Sequence, residues 1–79
     1  MAEDDVLRRF GERVRQLRLA AEWSQEDLAE QSGLHRTYIS GVEGGHRNAS
    51  ALAIVKLATA LRVDVGELFT LVNTRRRQR

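Results

Sequence analysis

Apolar residues recur at helical spacing near the start of the chain. They fall within an arc of about 80° when each residue turns by 100°, and they are Val6, Phe10, Val14 and Leu17. This stripe predicts a first helix from about Asp5 to Ala21. No stretch alternates between apolar and polar residues as a strand does, so an all-α fold is expected.

Capping signals predict the second helix. Ser24 is a favourable N-cap residue, and Asp27 three residues later approximates a capping box. Trp23 before the cap and Leu28 after it can form a hydrophobic staple, although Trp23 could instead be a stacking surface. Gly33 is the expected end of this helix, because glycine adopts the left-handed conformation at little cost.

The third predicted helix, about Arg36 to Glu43, has two chemically different sides. Ile39 and Val42 project from the side that is expected to face the core. The other side carries small or polar residues, namely Thr37, Ser40 and Gly41. A surface helix with a purely structural role is usually rich in Glu and Lys there. Together with the second helix and its short turn, this helix predicts a helix-turn-helix, whose second helix enters the major groove of DNA.

The rest of the chain predicts two more helices. Ser50 is expected to cap a fourth helix reaching about Leu61, and Asp64 a short fifth helix with Glu67 at its third position. The fourth helix has apolar residues on more than one face, and the fifth is short. The additional apolar residues can all be core in a five-helix domain or can form an exposed surplus, and they are Leu52, Val55, Phe69, Leu71 and Val72. These five residues, called the apolar patch below, are predicted to form a self-complementary dimer interface.

The chain length and the composition of the two termini predict the domain organisation. A chain of 79 residues indicates one domain, here residues 5–73, preceded by an acidic extension at 1–4 and followed by a basic tail at 74–79. A domain this short buries only about 60% of its unfolded surface, so dimerisation would help its stability. Because the sequence has no cysteine, no long apolar run and no signal-peptide pattern, a soluble cytoplasmic protein is expected.

The net charge adds little support for any partner. It is +2, from 13 basic and 11 acidic residues. Four arginines stand in the last five positions, and without them 9 basic and 11 acidic residues leave a net charge of −2. Nucleic-acid binding must therefore be argued from the placement of charges. The arginine tail is either a solvated end or a source of nonspecific affinity for DNA.

Three segments resemble the lambda-repressor-like helix-turn-helix family of the Cro/C1 or Xre type. They are SQEDLAEQSGLHRTYISGVEGGHRNAS, IVKLATAL and ELF, within about residues 7–69. Through LHRTYIS and the HRN that follows, the chain resembles the controller proteins of restriction–modification systems. The resemblance implies a compact five-helix domain that acts as a homodimer on a palindromic operator and regulates transcription without enzymatic activity.

The resemblance also implies which residues contact DNA. Those expected to contact base edges are Arg36, Thr37, Tyr38, Ser40 and Arg47. Arg36 can grip a guanine with two hydrogen bonds, whereas Tyr38 could instead cover the edge of the core. Backbone contacts are expected from Gln25, His35 and Asn48. Gln25 lies in the first turn of the second helix, where free N–H groups and the helix dipole attract phosphate.

Two further positions follow from the same resemblance. Arg18 and Glu43 are expected to form a structural ion pair between the first and third helices. Gly41 departs from the family pattern, because many relatives carry a longer polar side chain there and glycine offers no side chain for base contacts. Its presence weakens the helix by up to about 1 kcal/mol relative to alanine.

Other classes of function compete with this prediction. An antitoxin or a protein-interaction adaptor could use the same scaffold. An enzyme is not expected, because no nucleophile–base pair, metal cluster or phosphate-binding loop is visible. His35 and His46 have no carboxylates at ligand spacing near them, so neither a metal nor another cofactor is expected. The expected partners are double-stranded DNA and a second copy of the chain, with no small-molecule ligand.

Overall fold

The computed structural model describes residues 2–72, which form four α-helices and one 3₁₀ helix. The elements are α1 (Glu3–Ala20), α2 (Gln25–Ser32), α3 (Arg36–Glu43), α4 (Ala51–Leu61) and the 3₁₀ helix (Val65–Phe69). The prediction of an all-α fold is confirmed, but the expected fifth α-helix is wrong. The basic tail predicted at 74–79 lies outside the described residues.

The last element is a 3₁₀ helix, with hydrogen bonds that close over three residues rather than four. The backbone N–H of Glu67 donates to the carbonyl oxygen of Asp64 at 2.9 Å. The Asp64 side chain makes no capping hydrogen bond, so the predicted cap is also wrong. The segment has only five residues and contains Gly66, a poor helix former, and 3₁₀ hydrogen bonding is typical of such short pieces.

Helix α1 begins at Glu3, two residues before the predicted start. Its first turn contains Glu3, Asp4 and Asp5, whose carboxylates favour the positive end of the helix dipole. Two of the four residues in the predicted acidic extension, Glu3 and Asp4, therefore belong to α1. At the other end α1 stops at Ala20, one residue before the predicted end.

Local capping follows the sequence closely. The Ser24 hydroxyl accepts the N–H of Asp27 at 3.0 Å, and the Asp27 carboxylate accepts the N–H of Ser24 at 2.9 Å, which completes the predicted capping box. Gly33 ends α2 in the left-handed conformation, with φ of 79°. The Ser50 hydroxyl caps α4 by accepting the N–H of Ala53 at 3.1 Å. These three predictions are confirmed.

One hydrophobic core joins all the elements. Its largest fully buried side chains come from every element and are Val14, Leu28, Ile39, Val42, Leu57 and Leu68. The predicted stripe of α1 contributes Val14 and Phe10, while Leu17 is partly buried against the cluster. Trp23 also packs against this cluster, as a staple residue would.

Helices α1 and α3 approach at backbone contact around Gly11. A Cβ atom at this position would collide with the carbonyl oxygen of Val42 and would lie 2.8 Å from that of Glu43. The absence of a side chain at Gly11 therefore allows the end of α3 to lie against α1. This approach orients α3, whose opposite side carries the predicted DNA contacts.

Candidate nucleic-acid interface

Helices α2 and α3 form the predicted helix-turn-helix. The turn between them begins at Gly33 and is held by the Ser32 hydroxyl, which accepts the backbone N–H of Leu34 at 3.2 Å. Ile39 and Val42 of α3 are buried in the core. The outward side of α3 leaves Arg36, Thr37 and Ser40 exposed to solvent. The structure thus presents three of the five predicted base-contact residues from one helix.

A buried ion pair joins α1 to the last residue of α3. The Nε and Nη2 atoms of Arg18 donate to the two carboxylate oxygens of Glu43 at 2.7 and 3.0 Å. Only 9% and 3% of the two side chains are exposed. The pKa of Arg18 is raised, chiefly by its hydrogen bond to Glu43. Burial lowers the pKa in part, and the negative charge of Glu43 raises it further. Arg18 therefore stays charged at any working pH.

The ion pair continues to the protein surface through Gln25. The side-chain amide of Gln25 donates to Glu43 Oε1 at 3.1 Å, and its carbonyl oxygen accepts Nη1 of Arg36 at 3.4 Å. The Glu43 carboxylate thereby fixes which end of the Gln25 amide faces Arg36. The sequence indicated Gln25 as a phosphate contact and did not indicate this bridge, since its partners lie 11 and 18 residues away.

Tyr38 and Arg47 meet on the neighbouring part of α3. The guanidinium carbon of Arg47 lies 5.1 Å from the centroid of the Tyr38 ring, within the range of a cation–π contact. The Tyr38 hydroxyl oxygen accepts the backbone N–H of Ser50 at 3.1 Å. Tyr38 itself is half-buried against the core. Tyr38 thus ties α3 to the start of α4 and supports the arginine that follows α3.

The other two predicted backbone contacts have different surroundings. His35 is the N-cap residue of α3, is exposed, and makes no side-chain capping bond. Asn48 is exposed and lines a surface groove together with Glu3, Val6 and Leu7 of α1. Asn48 therefore lies beside the acidic first turn of α1. Within residues 2–72, no group of three His, Cys, Asp or Glu side chains could hold a metal ion.

The predicted apolar patch divides into exposed and half-buried residues. Leu52 is 64% and Val55 51% exposed on α4. Phe69 packs on Phe10 of α1, with ring centroids 5.0 Å apart. Leu71 and Val72 are half-buried. Leu52 and Val55 are therefore the patch residues whose side chains are most exposed to solvent.

Two arginines of α1 hold the end of the described chain against the domain. Arg13 donates from Nε to the carbonyl oxygen of Glu67 at 2.9 Å, and from Nη2 to its carboxylate at 2.8 Å. Arg9 Nη1 donates to the carbonyl oxygen of Leu71 at 3.3 Å. Sequence patterns did not indicate these contacts, which span 54 and 62 residues. They fix the segment that carries three of the five residues of the apolar patch.

Comparison with known proteins places this geometry in a family. The family model HTH_3, a helix-turn-helix, matches residues 14–68. Control protein C.BamHI of Bacillus amyloliquefaciens is 50% identical over 60 residues, which cover 75% of this chain and 74% of the relative. Control protein C.SmaI of Serratia marcescens is 46% identical over 66 residues, which cover 84% of this chain and 79% of the relative.

Solved structures agree with the sequence matches. The restriction-modification controller protein C.AhdI from Aeromonas hydrophila matches with a TM-score of 0.78 and 56% identity, over 80% of this chain and 96% of that one. The wild-type restriction-modification controller protein C.Esp1396I matches with a TM-score of 0.76 and 35% identity, over 85% of this chain and 90% of that one.

The chain belongs to the helix-turn-helix family of the Xre, Cro/C1 type. Within that family it is a restriction–modification controller protein, a DNA-binding transcriptional regulator and not an enzyme. The resemblance inferred from sequence is confirmed at both levels. Within residues 2–72, no helix is long and apolar enough to span a membrane.

Proposed function

We propose that the protein binds a palindromic operator as a homodimer and regulates the genes of a restriction–modification system. Two copies of α3 would enter successive major grooves about 34 Å apart, one helical turn of DNA. The proposal rests chiefly on the buried Arg18–Glu43 pair, which holds Gln25 and, through it, Arg36 at the exposed start of α3. Operator binding would place the protein in the cytoplasm.

We assign the base contacts to the exposed side of α3 and the loop that follows it. Arg36, Thr37 and Ser40 stand on α3, while Tyr38 and Arg47 flank them through their cation–π contact. Arginine forms two parallel hydrogen bonds with the major-groove edge of guanine. Because Gln25 already orients Arg36, less conformational entropy is lost when that arginine binds a base.

We assign backbone contacts to Gln25, His35 and Asn48. Gln25 and His35 lie at the N-terminal ends of α2 and α3, where free N–H groups attract phosphate oxygens. Asn48 lies in the loop that connects α3 to α4. Phosphate contacts would set the register on DNA and make the affinity fall as salt rises.

Replacing Arg36 by alanine should remove sequence preference at one base-pair position of each half-site. The loss should be about 1–3 kcal/mol for the preferred base pair and much smaller for DNA that already has the wrong base pair there. Selection of bound duplexes from a random pool gives the operator, and titration of its single-base variants measures the loss. Arg15→Ala is the matched control, because Arg15 is an exposed α1 arginine whose nearest carboxylate oxygen, on Glu12, is 3.9 Å away. An equal loss on every sequence would contradict base recognition by Arg36.

The dimer is proposed to form through the apolar patch. Leu52→Glu should weaken dimerisation at least about 100-fold, because a two-fold interface contains each patch residue twice and each buried leucine contributes about 1.5–3 kcal/mol. Sedimentation equilibrium measures the dissociation constant. Leu19→Glu is the matched control, since Leu19 is 49% exposed at the far end of α1.

Two outcomes distinguish whether a dimer forms from where its interface lies. A wild-type protein that is monomeric at high micromolar concentration would rule out the dimer. A wild-type dimer that Leu52→Glu leaves intact would show that the interface lies elsewhere. Because Leu52 is already exposed in the single chain, its substitution should leave the fold unchanged, which a melting curve checks.

A further inference from the structure

The Arg47 side chain lies close to Gly41 on the outward side of α3. A Cβ atom at Gly41 would lie 3.3 Å from Cβ and 3.6 Å from Nε of Arg47. The first distance is shorter than ordinary van der Waals contact between carbon atoms. The aliphatic part of Arg47 therefore lies against the Gly41 position so closely that a Cβ atom there would push it back by a few tenths of an ångström.

Two backbone hydrogen bonds hold the Arg47 backbone close to α3. The carbonyl oxygen of Gly41 accepts the N–H of His46 at 2.8 Å and the N–H of Arg47 at 3.1 Å. The chain reverses towards α3 at Gly45, whose φ of 77° suits glycine. A side chain at Gly41 would push against the Cβ of Arg47, and because the Arg47 backbone is anchored to Gly41 by a hydrogen bond, the displacement would also strain this hydrogen bond.

The far end of Arg47 is held as well. Its guanidinium lies over the ring of Tyr38, three residues before Gly41 and hence on the same side of α3. The Tyr38 hydroxyl is in turn fixed by the backbone N–H of Ser50. Stacking of this kind leaves the N–H donors at the edge of a guanidinium able to bind another group. Among residues 2–72 no carboxylate forms a salt bridge with Arg47.

We propose that Gly41 is a specificity-determining position of the DNA-binding site, because it allows Arg47 to lie across α3 and present its guanidinium to a guanine. Arg47 then supplies, from the loop, the base-contacting side chain that Gly41 lacks. Gly41 acts as a positioning residue and Tyr38 as the second support. This inference rests on the proposed DNA-binding function and adds the physical reason for glycine in the recognition helix.

The test is a double-mutant cycle on DNA. Gly41→Ala and Arg47→Ala should each weaken binding to the selected operator about tenfold per half-site, which corresponds to loss of one base contact in each subunit. The double variant should also lose about tenfold rather than about 100-fold per half-site, since both changes remove the same contact. Binding to a duplex of scrambled sequence should change less than about twofold, and both single variants should lose preference at the same base pair, distinct from that of Arg36→Ala.

Gly66→Ala is the matched control for the glycine substitution. Apart from the adjacent residues and its own helix backbone, no atom lies within 4 Å of the position that its Cβ would take, and its φ is not in the left-handed region. Its operator affinity should equal that of the wild type within about twofold. An additive loss of about 100-fold per half-site in the Gly41→Ala/Arg47→Ala variant, or equal losses on operator and scrambled DNA, would overturn the proposal.

A measurement without DNA separates this inference from the proposed function. In NMR spectra of the free protein, the side-chain δ-protons of Arg47 should be shifted upfield by the Tyr38 ring. Gly41→Ala and Tyr38→Leu should both return them towards random-coil values, while Gly66→Ala should not. Unchanged shifts in Gly41→Ala would overturn the positioning role even if DNA binding is specific. A wild-type protein that shows these shifts but selects no DNA sequence would instead refute the proposed function.

Discussion

Replacing Arg18 by methionine should lower the free energy of unfolding by about 3–5 kcal/mol, because the buried Glu43 carboxylate then has no cationic partner. The substitution also removes the donor to the carbonyl oxygen of Trp23, now 2.7 Å from Arg18 Nη1. A domain of this length has a total stability of about 4–12 kcal/mol. The loss should therefore be visible as a large fall in the urea midpoint.

The matched comparisons distinguish a buried pair from an exposed one. Arg15→Met removes the partner of Glu12 on the surface of α1 and should cost less than about 1 kcal/mol. Arg18→Met combined with Glu43→Leu should recover most of the stability, since both buried charges are then gone. If Arg18→Met alone cost under about 1 kcal/mol, the pair would not be a major contribution to the fold.

The same double substitution links the fold to DNA binding. Without the Glu43 carboxylate, nothing fixes the orientation of the Gln25 amide, and Arg36 loses its fixed acceptor. Arg18→Met/Glu43→Leu should therefore fold but discriminate poorly at the base pair that Arg36 contacts. Full discrimination in a folded double variant would contradict a role for this bridge in positioning Arg36.

Replacing Gly11 by alanine should lower the free energy of unfolding by about 3 kcal/mol, at the upper end of the usual cost of overpacking. The new methyl group would meet two backbone carbonyl oxygens of α3, on Val42 and Glu43, and neither can rotate away. Helix propensity alone predicts the opposite sign, a gain of up to about 1 kcal/mol for alanine. The melting temperature should fall by about 12–24 °C.

Gly66→Ala is the control for the Gly11 prediction. Apart from adjacent residues and its own helix, its new methyl group would have no neighbour within 4 Å, so the stability should stay the same or rise by up to about 1 kcal/mol, as helix propensity predicts. A Gly11→Ala variant as stable as the wild type would mean that α1 and α3 can separate without loss of packing. Lower DNA affinity in that variant would then report a changed orientation of α3.

The glycines show how far sequence reasoning extends. Gly33 was predicted correctly, because the end of a helix is decided by neighbouring residues and by the left-handed conformation that glycine accepts. Gly11 stands inside a regular helical pattern, where an isolated glycine can signal a close approach but does not name the partner. For Gly41 the sequence indicated only that no side chain is available for base contacts, whereas the fold places the Arg47 side chain against this position.

The end of the chain shows the same limit. Its apolar residues and its cap signal predicted a short α-helix, and Leu68 is indeed fully buried. The hydrogen bonds that Arg13 and Arg9 donate to this segment come from α1, 54 and 62 residues earlier. The sequence around the 3₁₀ helix could not predict these hydrogen bonds, because their donors lie in α1. The segment forms a 3₁₀ helix held against α1 instead of a capped α-helix.

Sequence by itself determined the four α-helices, most of their ends and the helix-turn-helix, because apolar periodicity and capping depend on residues three or four positions apart. It also indicated the exposed residues of α3. Tertiary structure alone decided the bridge from Glu43 through Gln25 to Arg36, the approach of α3 to Gly11 and the placement of Arg47 on Gly41. These contacts depend on how whole helices cross, and the crossing is set by the packing of the complete core.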